Sequence, residues 1–413
     1  MNAVDTNAQV QAAITDNQAY KERAFAAGQR YLEAVDGILD ELRSRRHLSD
    51  EQGMVPHESV ALMEKVGVFR ALTPLSFGGL ELPPAMFFEG IMKIASADPS
   101  AAWIGGQLTV HSFEVALMDP KLQEEFWATG PDTRASSAYA PLGKWEKVDG
   151  GFLLNGTWAF SSGVDHATWV VLGGGLYNFL VPRSDFTILH DTWDVYGLKG
   201  TGSKSVKLEN VFVPEYRAHS LMDTYHDRNP GWSINKTPLY RLSWLGMFTS
   251  TMANSAIGLT VGMLDEFIRQ TRARHSKLGT GIPVQTNPFM QMRLASVMTK
   301  VRGVKKRHLD NWRELFDIAC AGGVPDDETR LRVKYEATDA AGQCFEAINE
   351  IWPHVGAAVV MKSNPLFRDY IDLASMRNHG SAARDNAALL YMKKIFGQPG
   401  PEITNMMTLG FYK

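Results

Sequence analysis

The spacing of apolar residues changes twice along this chain, and those two changes constrain its fold more than any single motif. Up to about Met118 apolar residues recur at helical intervals: Tyr31, Val35, Ile38 and Leu42 form one stripe on a charged segment. Further helices are expected over 59–69, 85–95 and 101–118, the last entered through Ser96-Ala97-Asp98-Pro99-Ser100, an N-cap cluster. Between Thr133 and Leu221 short alternating runs take over, at 147–154, 167–172, 177–181 and 205–213. Each is bounded by Gly, Pro, Asn or Asp, the mark of antiparallel strands. From Pro238 helical spacing returns with Ile257, Val261, Leu264 and Ile268, then Leu294, Val297 and Val301. A long helix over 335–351 and last helices over 365–376 and 384–396 complete the pattern. The implied class is α+β: an N-terminal helical domain (1–130), a central antiparallel β-domain (131–223) and a C-terminal four-helix-bundle domain (224–413). Its polar, aromatic entry, 221–237, reads as a linker or mobile loop.

Composition excludes several function classes. With 413 residues, 45% hydrophobic and 21% charged, this is an ordinary globular chain with room for two or three domains. A net charge of -3, with no basic patch interleaved with aromatics, gives no case for nucleic acid or an anionic membrane. The N-terminal residues lack a signal-peptide pattern and no apolar run reaches about 18 residues, so a cytoplasmic protein is expected. Cys320 and Cys344 lie in helix-like sequence without CxxC spacing and read as buried thiols, with a redox pair as the alternative. No His, Cys, Asp or Glu grouping has metal-ligand spacing, so no metal is expected.

The chemistry concentrates in 135–163. Asp149-Gly150 and Asn155-Gly156 are hairpin signals that bring the serines near 136 and those near 161 to one side of a β-layer. Hydroxyl and backbone donors beside Trp158 and Phe160 suit a flat, polar-edged aromatic cofactor, and a flavin site is expected. Gly200-Thr201-Gly202-Ser203 fails the P-loop pattern; it is either a turn that meets a cofactor phosphate or a plain β-turn. Ala159-Phe160-Ser161-Ser162-Gly163 lacks the first glycine of a nucleophile elbow, which argues against a serine hydrolase.

Several single residues stand beside bland alternatives. His111 lies in an apolar helical stretch, where a satisfied core histidine is the ordinary reading. Asp165-His166 reads as structural. His379 sits in Arg377-Asn378-His379-Gly380-Ser381, a break between helices that is either a site or a surface turn. Arg241 is a lone cation among aromatic and apolar neighbours and requires an anionic or strongly dipolar partner. Arg272 and Arg274, at a helix end, are either solvated or hold a phosphate.

With these residues laid out, the helix, β, helix order resembles the acyl-CoA dehydrogenase superfamily over nearly the whole chain, as do Gly197-Leu198-Lys199-Gly200-Thr201-Gly202-Ser203 and Leu208-Glu209-Asn210-Val211-Phe212-Val213-Pro214. Within it the chain is most similar to the oxygenase components of two-component flavin monooxygenases, the family of the para-hydroxyphenylacetate, resorcinol and seco-steroid phenol hydroxylases. The matching stretches are Ala135-Ser136-Ser137 with Ala140-Pro141, Leu154-Asn155-Gly156, Ser161-Ser162-Gly163 with Asp165-His166, Gly202-Ser203-Lys204, Val213-Pro214-Glu215-Tyr216-Arg217 and Leu366-Phe367-Arg368-Asp369.

That resemblance implies a reduced flavin, FMNH2 or FADH2, supplied by a separate NAD(P)H-dependent flavin reductase. It would react with O2 to a 4a-hydroperoxide that hydroxylates a phenolic ring, in a homotetramer. Position by position, Ser162 would lie beside the reactive ring nitrogen, Arg241 near the flavin ring and His379 near the peroxide. His111 and Ser137 would contact the phenol, with His111 as acceptor or base, and Trp103 would line the substrate pocket. Trp158 and Ser161 would meet the flavin, while Thr201, Ser203 and Arg274 would hold its phosphate. The absence of Gly-x-Gly-x-x-Gly after a strand fits a partner that does the reduction. The rival reading is an acyl thioester desaturase, which needs a carboxylate base; no acidic residue lies between Arg241 and Asp265. A noncatalytic flavin-binding scaffold is the third class.

Overall fold

In the computed structural model, which describes residues 16–225, 228–275 and 281–399, Asp16 caps the first helix by accepting from the amides of Gln18 and Ala19. This helix, α1 (Asn17–Asp36), stops at Gly37, where bonds from Gly37 to Glu33 and from Ile38 to Val35 tighten the last turn before α2 (Leu39–Gln52). The stripe of Tyr31, Val35, Ile38 and Leu42 therefore runs across a break rather than along one helix, yet all four residues are buried. Next come α3 (His57–Lys65), α4 (Pro84–Ala97), α5 (Pro99–Leu117) and α6 (Pro120–Phe126). Asp98 caps α5 through the amides of Ser100 and Ala101, as its sequence signal indicates. Every residue of α5 is buried, so this helix is the spine on which the other elements pack.

Two four-stranded sheets follow. The first has the order β1 (Ala135–Ala138), β4 (Trp169–Gly173), β5 (Tyr177–Pro182), β8 (Ala218–Ser220); the second has β2 (Lys144–Val148), β3 (Gly151–Ser161), β7 (Lys204–Pro214), β6 (Thr187–Leu189). Alternation along β4 sends Val170 and Leu172 into an inter-sheet core with Phe152, Leu154, Trp158 and Val206, while Trp169 and Val171 join the helical core.

Two β-domain expectations need correction. The domain is not wholly antiparallel, because β1 pairs with β4 in parallel. Asp149-Gly150 is a hairpin turn between β2 and β3, with Gly150 at φ 74°, but Asn155-Gly156 is not. Those two residues lie inside β3 at a register shift against β7, and the Asn155 carboxamide accepts from the Asn210 amide across it.

A short helix, α7 (Leu221–Tyr225), leads to the described part of the entry segment, which is not loose. Asn229, Asn235 and Thr237 are buried, and Asn235 Nδ2 donates to the carbonyl of Ala116 at 2.8 Å and to Gln123 Oε1 at 2.7 Å. The bundle comprises α8 (Trp244–Ala273), α9 (Pro288–Cys320), α10 (Asp327–Ile351), α11 (Pro365–Arg377) and α12 (Arg384–Ile395). At Gly258 the α8 backbone lies so close to α4 that an added Cβ would sit 2.2 Å from the Met92 carbonyl oxygen. Burial raises the free thiols of Cys320 and Cys344 to about 11 and about 12. Among the described residues, no helix is long and apolar enough to cross a membrane.

Candidate active site

Two loops with strained backbones meet beside α5. At the end of β3 the ladder shifts register between Trp158 and Ser161, and Phe160 adopts φ 67°; in the facing loop Leu198 adopts φ 55°. Each non-glycine residue there costs on the order of 1–3 kcal/mol and persists only where its surroundings enforce it. Here the Gly163 amide donates to the Thr201 carbonyl at 2.8 Å, and the Leu198 amide donates to Asp372 Oδ1, from α11, at 2.6 Å. The Asp372 carboxyl is pushed up to about 6 by burial, against the attraction of Arg368 and the Leu198 hydrogen bond.

Between the two loops runs a chain of hydroxyls that begins on a carbonyl, an atom that only accepts. With the Thr201 Oγ1 proton on the Leu198 carbonyl at 2.9 Å, Ser203 Oγ, 2.7 Å away, donates to Thr201. Ser162 Oγ, 2.7 Å from Ser203, then donates to Ser203. Ser162 also accepts from the indole of Trp103 on α5 at 3.1 Å, which leaves it one lone pair and no spare proton. The half-buried Ser162 therefore presents an acceptor to the space outside the chain.

His379 comes to the same place from the break between α11 and α12. Its Nδ1 accepts from the Ser381 amide at 3.1 Å, so the neutral ring carries its proton on Nε2. The ring meets Trp103 edge-on at 5.4 Å, and desolvation lowers its pKa to about 4. The structure thus joins Ser162, His379 and Trp103 through a single indole.

His111 lies on α5 eight residues beyond Trp103, about 12 Å along the helix axis. It is fully buried, with Nδ1 2.9 Å from Tyr139 Oη, and its Nε2 is a buried nitrogen without a partner among the described residues. Tyr139 Oη donates to Glu114 Oε2 at 2.5 Å; Glu114 Oε1 accepts from Asn178 Nδ2 at 2.8 Å and faces His219 Nδ1 at 3.1 Å. Burial opposes ionisation of Glu114, but hydrogen bonds and charge at His111 and His219 outweigh it and hold the carboxyl at about 2. Phe248 from α8 flanks the His111 ring at 6.2 Å. Ser137 is half-buried on β1, two residues before Tyr139.

Other expected contacts fall elsewhere. Trp158 is fully buried between the sheets, with its indole donating to the Gly173 carbonyl at 2.9 Å and its ring against Gly143, so no face is left for a cofactor. Ser161 is buried and donates to Ser136 Oγ at 3.0 Å, a link between the sheets. Thr201 and Ser203 are buried and hydrogen-bonded to each other and, through Thr201, to the Leu198 carbonyl. Arg274 binds the carbonyls of Val355 and His354, closing the end of α8. Arg241 is exposed, its guanidinium 4.4 Å from the centre of the Trp232 ring, so its partner is a π face instead of an anion. The Trp232 segment packs at the Ala116 end of α5, about 20 Å of helix from Trp103, so Arg241 is not brought to the Ser162 cluster within this chain.

Sequence reasoning missed Glu114, Tyr139 and His219, although a lone carboxylate three residues after His111 on an apolar helix is itself a signal of a paired buried charge. It also missed what Phe160 does: the ring is 69% exposed beside Ser162 and meets Trp193 edge-on at 6.1 Å.

Comparison with known proteins decides the family. The flavin-dependent monooxygenase oxygenase subunit HsaA of Rhodococcus jostii (strain RHA1) is 32% identical over 377 residues, covering 89% of this chain and 98% of that one. The chain belongs to the flavin-dependent monooxygenase oxygenase components. This oxygenase component is also similar to the p-hydroxyphenylacetate 3-hydroxylase oxygenase component of Acinetobacter baumannii, at 29% identity over 386 residues and 91% of each chain. The crystal structure of 3-HSA hydroxylase from Rhodococcus sp. RHA1 superposes with a TM-score of 0.86 at 31% identity, over 91% of this chain and 98% of that one. Residues 250–383 match the family model for the acyl-CoA dehydrogenase C-terminal domain. The oxygenase component has the acyl-CoA dehydrogenase-like fold, uses reduced flavin from a separate reductase, and hydroxylates aromatic substrates.

Proposed function

We propose that Ser162, Trp103 and His379 face the ring of the reduced flavin and that His111 and Ser137 receive the hydroxyl of a phenol. Bound there, reduced flavin, as FMNH2 or FADH2, supplies the electrons that activate O2. The observation that carries this reading is the convergence on Trp103: its indole donates to Ser162 Oγ at 3.1 Å and meets the His379 ring at 5.4 Å, and with the Thr201 proton on the Leu198 carbonyl Ser162 keeps a lone pair, the complement of a ring N–H that must keep its proton. Trp103, only 4% exposed, walls the space off from water. His379 offers an Nε2 proton from a neutral ring, able to donate to developing negative charge. The exposed Phe160 ring supplies an apolar face next to Ser162.

The same residues weigh against acyl thioester desaturation. The helix break carries His379 where a carboxylate base would be needed, and both oxygens of Glu114 are engaged by Tyr139, Asn178 and His219. Family likeness supports a homotetramer, a cytoplasmic location and domains at 1–130, 131–223 and 224–413. The test is a panel of phenols with photoreduced FMN and photoreduced FAD, scoring hydroxylated product against hydrogen peroxide. Product with at least one phenol is expected. Peroxide alone with every phenol, together with bleaching of the oxidised flavoprotein by an acyl-CoA, would overturn the reading.

A further inference from the structure

We infer that Tyr139 and Glu114 are positioning residues that fix His111 as the proton acceptor for the phenol hydroxyl, through a His111–Tyr139–Glu114 relay. This rests on the proposal above that His111 faces the phenol. Glu114 is a buried carboxylate and only accepts. Tyr139 has one proton, and at 2.5 Å from Glu114 Oε2 that proton belongs to the carboxylate contact. Tyr139 Oη can then only accept from His111 Nδ1, 2.9 Å away, which places the ring proton on Nδ1 and leaves Nε2 bare. Nε2 is the atom left buried and unpartnered among the described residues.

A buried acceptor without a partner is unfavourable unless a ligand satisfies it. A phenol hydroxyl does so and gains more than a hydrogen bond. When the phenol O–H bond breaks, the proton forms an N–H bond at Nε2, the electron pair stays on the phenolate oxygen, and the ring becomes an imidazolium. That cation lies 3.8 Å from Glu114 Oε2, with Tyr139 Oη bridging them. The proton returns from Nε2 to the oxygen of the product, so the relay is restored. Among the described residues, the other groups facing this carboxylate are Asn178 from β5 and His219 from β8, whose Nε2 is 2.8 Å from Thr224 Oγ1; α8 contributes the uncharged rings of Trp244 and Phe248.

Without the carboxylate the imidazolium loses a charge-assisted partner, so the hydroxylation rate of Glu114→Gln at pH 7 should fall about tenfold or more, with KM for the phenol little changed. The deficit should close as pH approaches the phenol's own pKa of about 10, where the phenol ionises without help. Tyr139→Phe, which keeps the ring, should show the same deficit and the same recovery and serves if Glu114→Gln does not fold. A readout free of flavin and phenol is the 15N spectrum of the full chain labelled at histidine, with His111→Asn assigning the signal. The Nδ1–H form with bare Nε2 is expected for His111. An Nε2–H form, or a rate at pH 7 that does not fall in either variant, overturns the relay. If His111→Asn instead leaves hydroxylation intact, the placement of the phenol at His111 is what fails.

Discussion

Replacing Thr201 by Val keeps the shape of a fully buried side chain and removes the one hydroxyl that gives the chain its direction. The Leu198 carbonyl stays satisfied, because it also accepts from the Thr201 amide at 3.0 Å. Ser203 loses its acceptor, so its proton turns toward Ser162, and the Ser162 proton turns outward. An acceptor facing the flavin ring becomes a donor, although neither Ser162 nor its backbone has been touched. The loss is one hydrogen bond, about 0.5–1.5 kcal/mol, or about a two- to twelvefold change in a rate or partition ratio. Single-turnover reactions with photoreduced flavin, O2 and a phenol would measure the split between hydroxylated product and hydrogen peroxide. Peroxide should rise by that factor in Thr201→Val and similarly in Ser162→Ala. Because Thr201 acts only through Ser162, the double variant should be no worse than Ser162→Ala alone, a fully non-additive cycle. An unchanged split in Thr201→Val, or a double variant in which the two effects multiply, would show that Thr201 does not set what Ser162 presents.

Asp372 couples the same loop to pH. Its folded pKa of about 6 lies above the unfolded value, so it contributes stability that is complete below pH ~4 and is lost as pH rises through 6, roughly 3 kcal/mol in all. Urea melts at pH 5 and pH 7 should show that difference shrinking in Asp372→Asn; equal slopes in both proteins would contradict it. Burial, with Arg307 nearby, lowers His308 to about 3, the opposite sign: stability is present above pH ~6.5 and falls by about 1.4 kcal/mol per unit of acidification below it. His308→Leu should flatten that acid limb in the same melts, and a limb left as steep would show that another group causes it. Trp158→Phe should lower stability by about 1–3 kcal/mol while leaving the product-to-peroxide split unchanged, whereas an altered split with unaltered stability would return Trp158 to the cofactor site.

Much of the framework was legible because local chemistry decided it. Asp98 before Pro99 could only begin a helix, and Asp149-Gly150 supplied a turn residue at positive φ where β2 meets β3. Asn155-Gly156 carried the same local signal and went to a bulge, since β3 continues through it to pair with β7 on the far side. Strand partners are likewise set from outside the strand, which is why the parallel β1–β4 pair could not be read from alternation. Trp158 and Phe160 are two residues apart, and a regular strand would put them on one face. The register shift before Ser161 separates them, burying Trp158 fully and exposing Phe160. Family resemblance named Ser162 and His379, but it could not say that Thr201 and Ser203 are tied to Ser162 in one chain of hydroxyls. That depends on a carbonyl, at Leu198, whose position no side-chain pattern encodes.

The two ends of the site obey one rule. At Ser162 and at His111 a group capable of either role is left as an acceptor, because the proton beside it is drawn inward to an atom that has none to give. In one case that atom is the Leu198 carbonyl, in the other the Glu114 carboxylate. The two sinks differ in strength, and the chemistry asked of each end differs accordingly. A neutral carbonyl is enough to orient Ser162 toward an N–H that must stay protonated; a charged sink there would pull on the proton it should preserve. A phenol with an ordinary pKa of about 10 must lose its proton near neutral pH, and a fixed negative charge behind His111 supplies the pull that a carbonyl cannot. Trp103 and His111, which serve the two ends, lie eight residues apart on α5, about 12 Å along its axis, so one rigid helix holds both ends of the site.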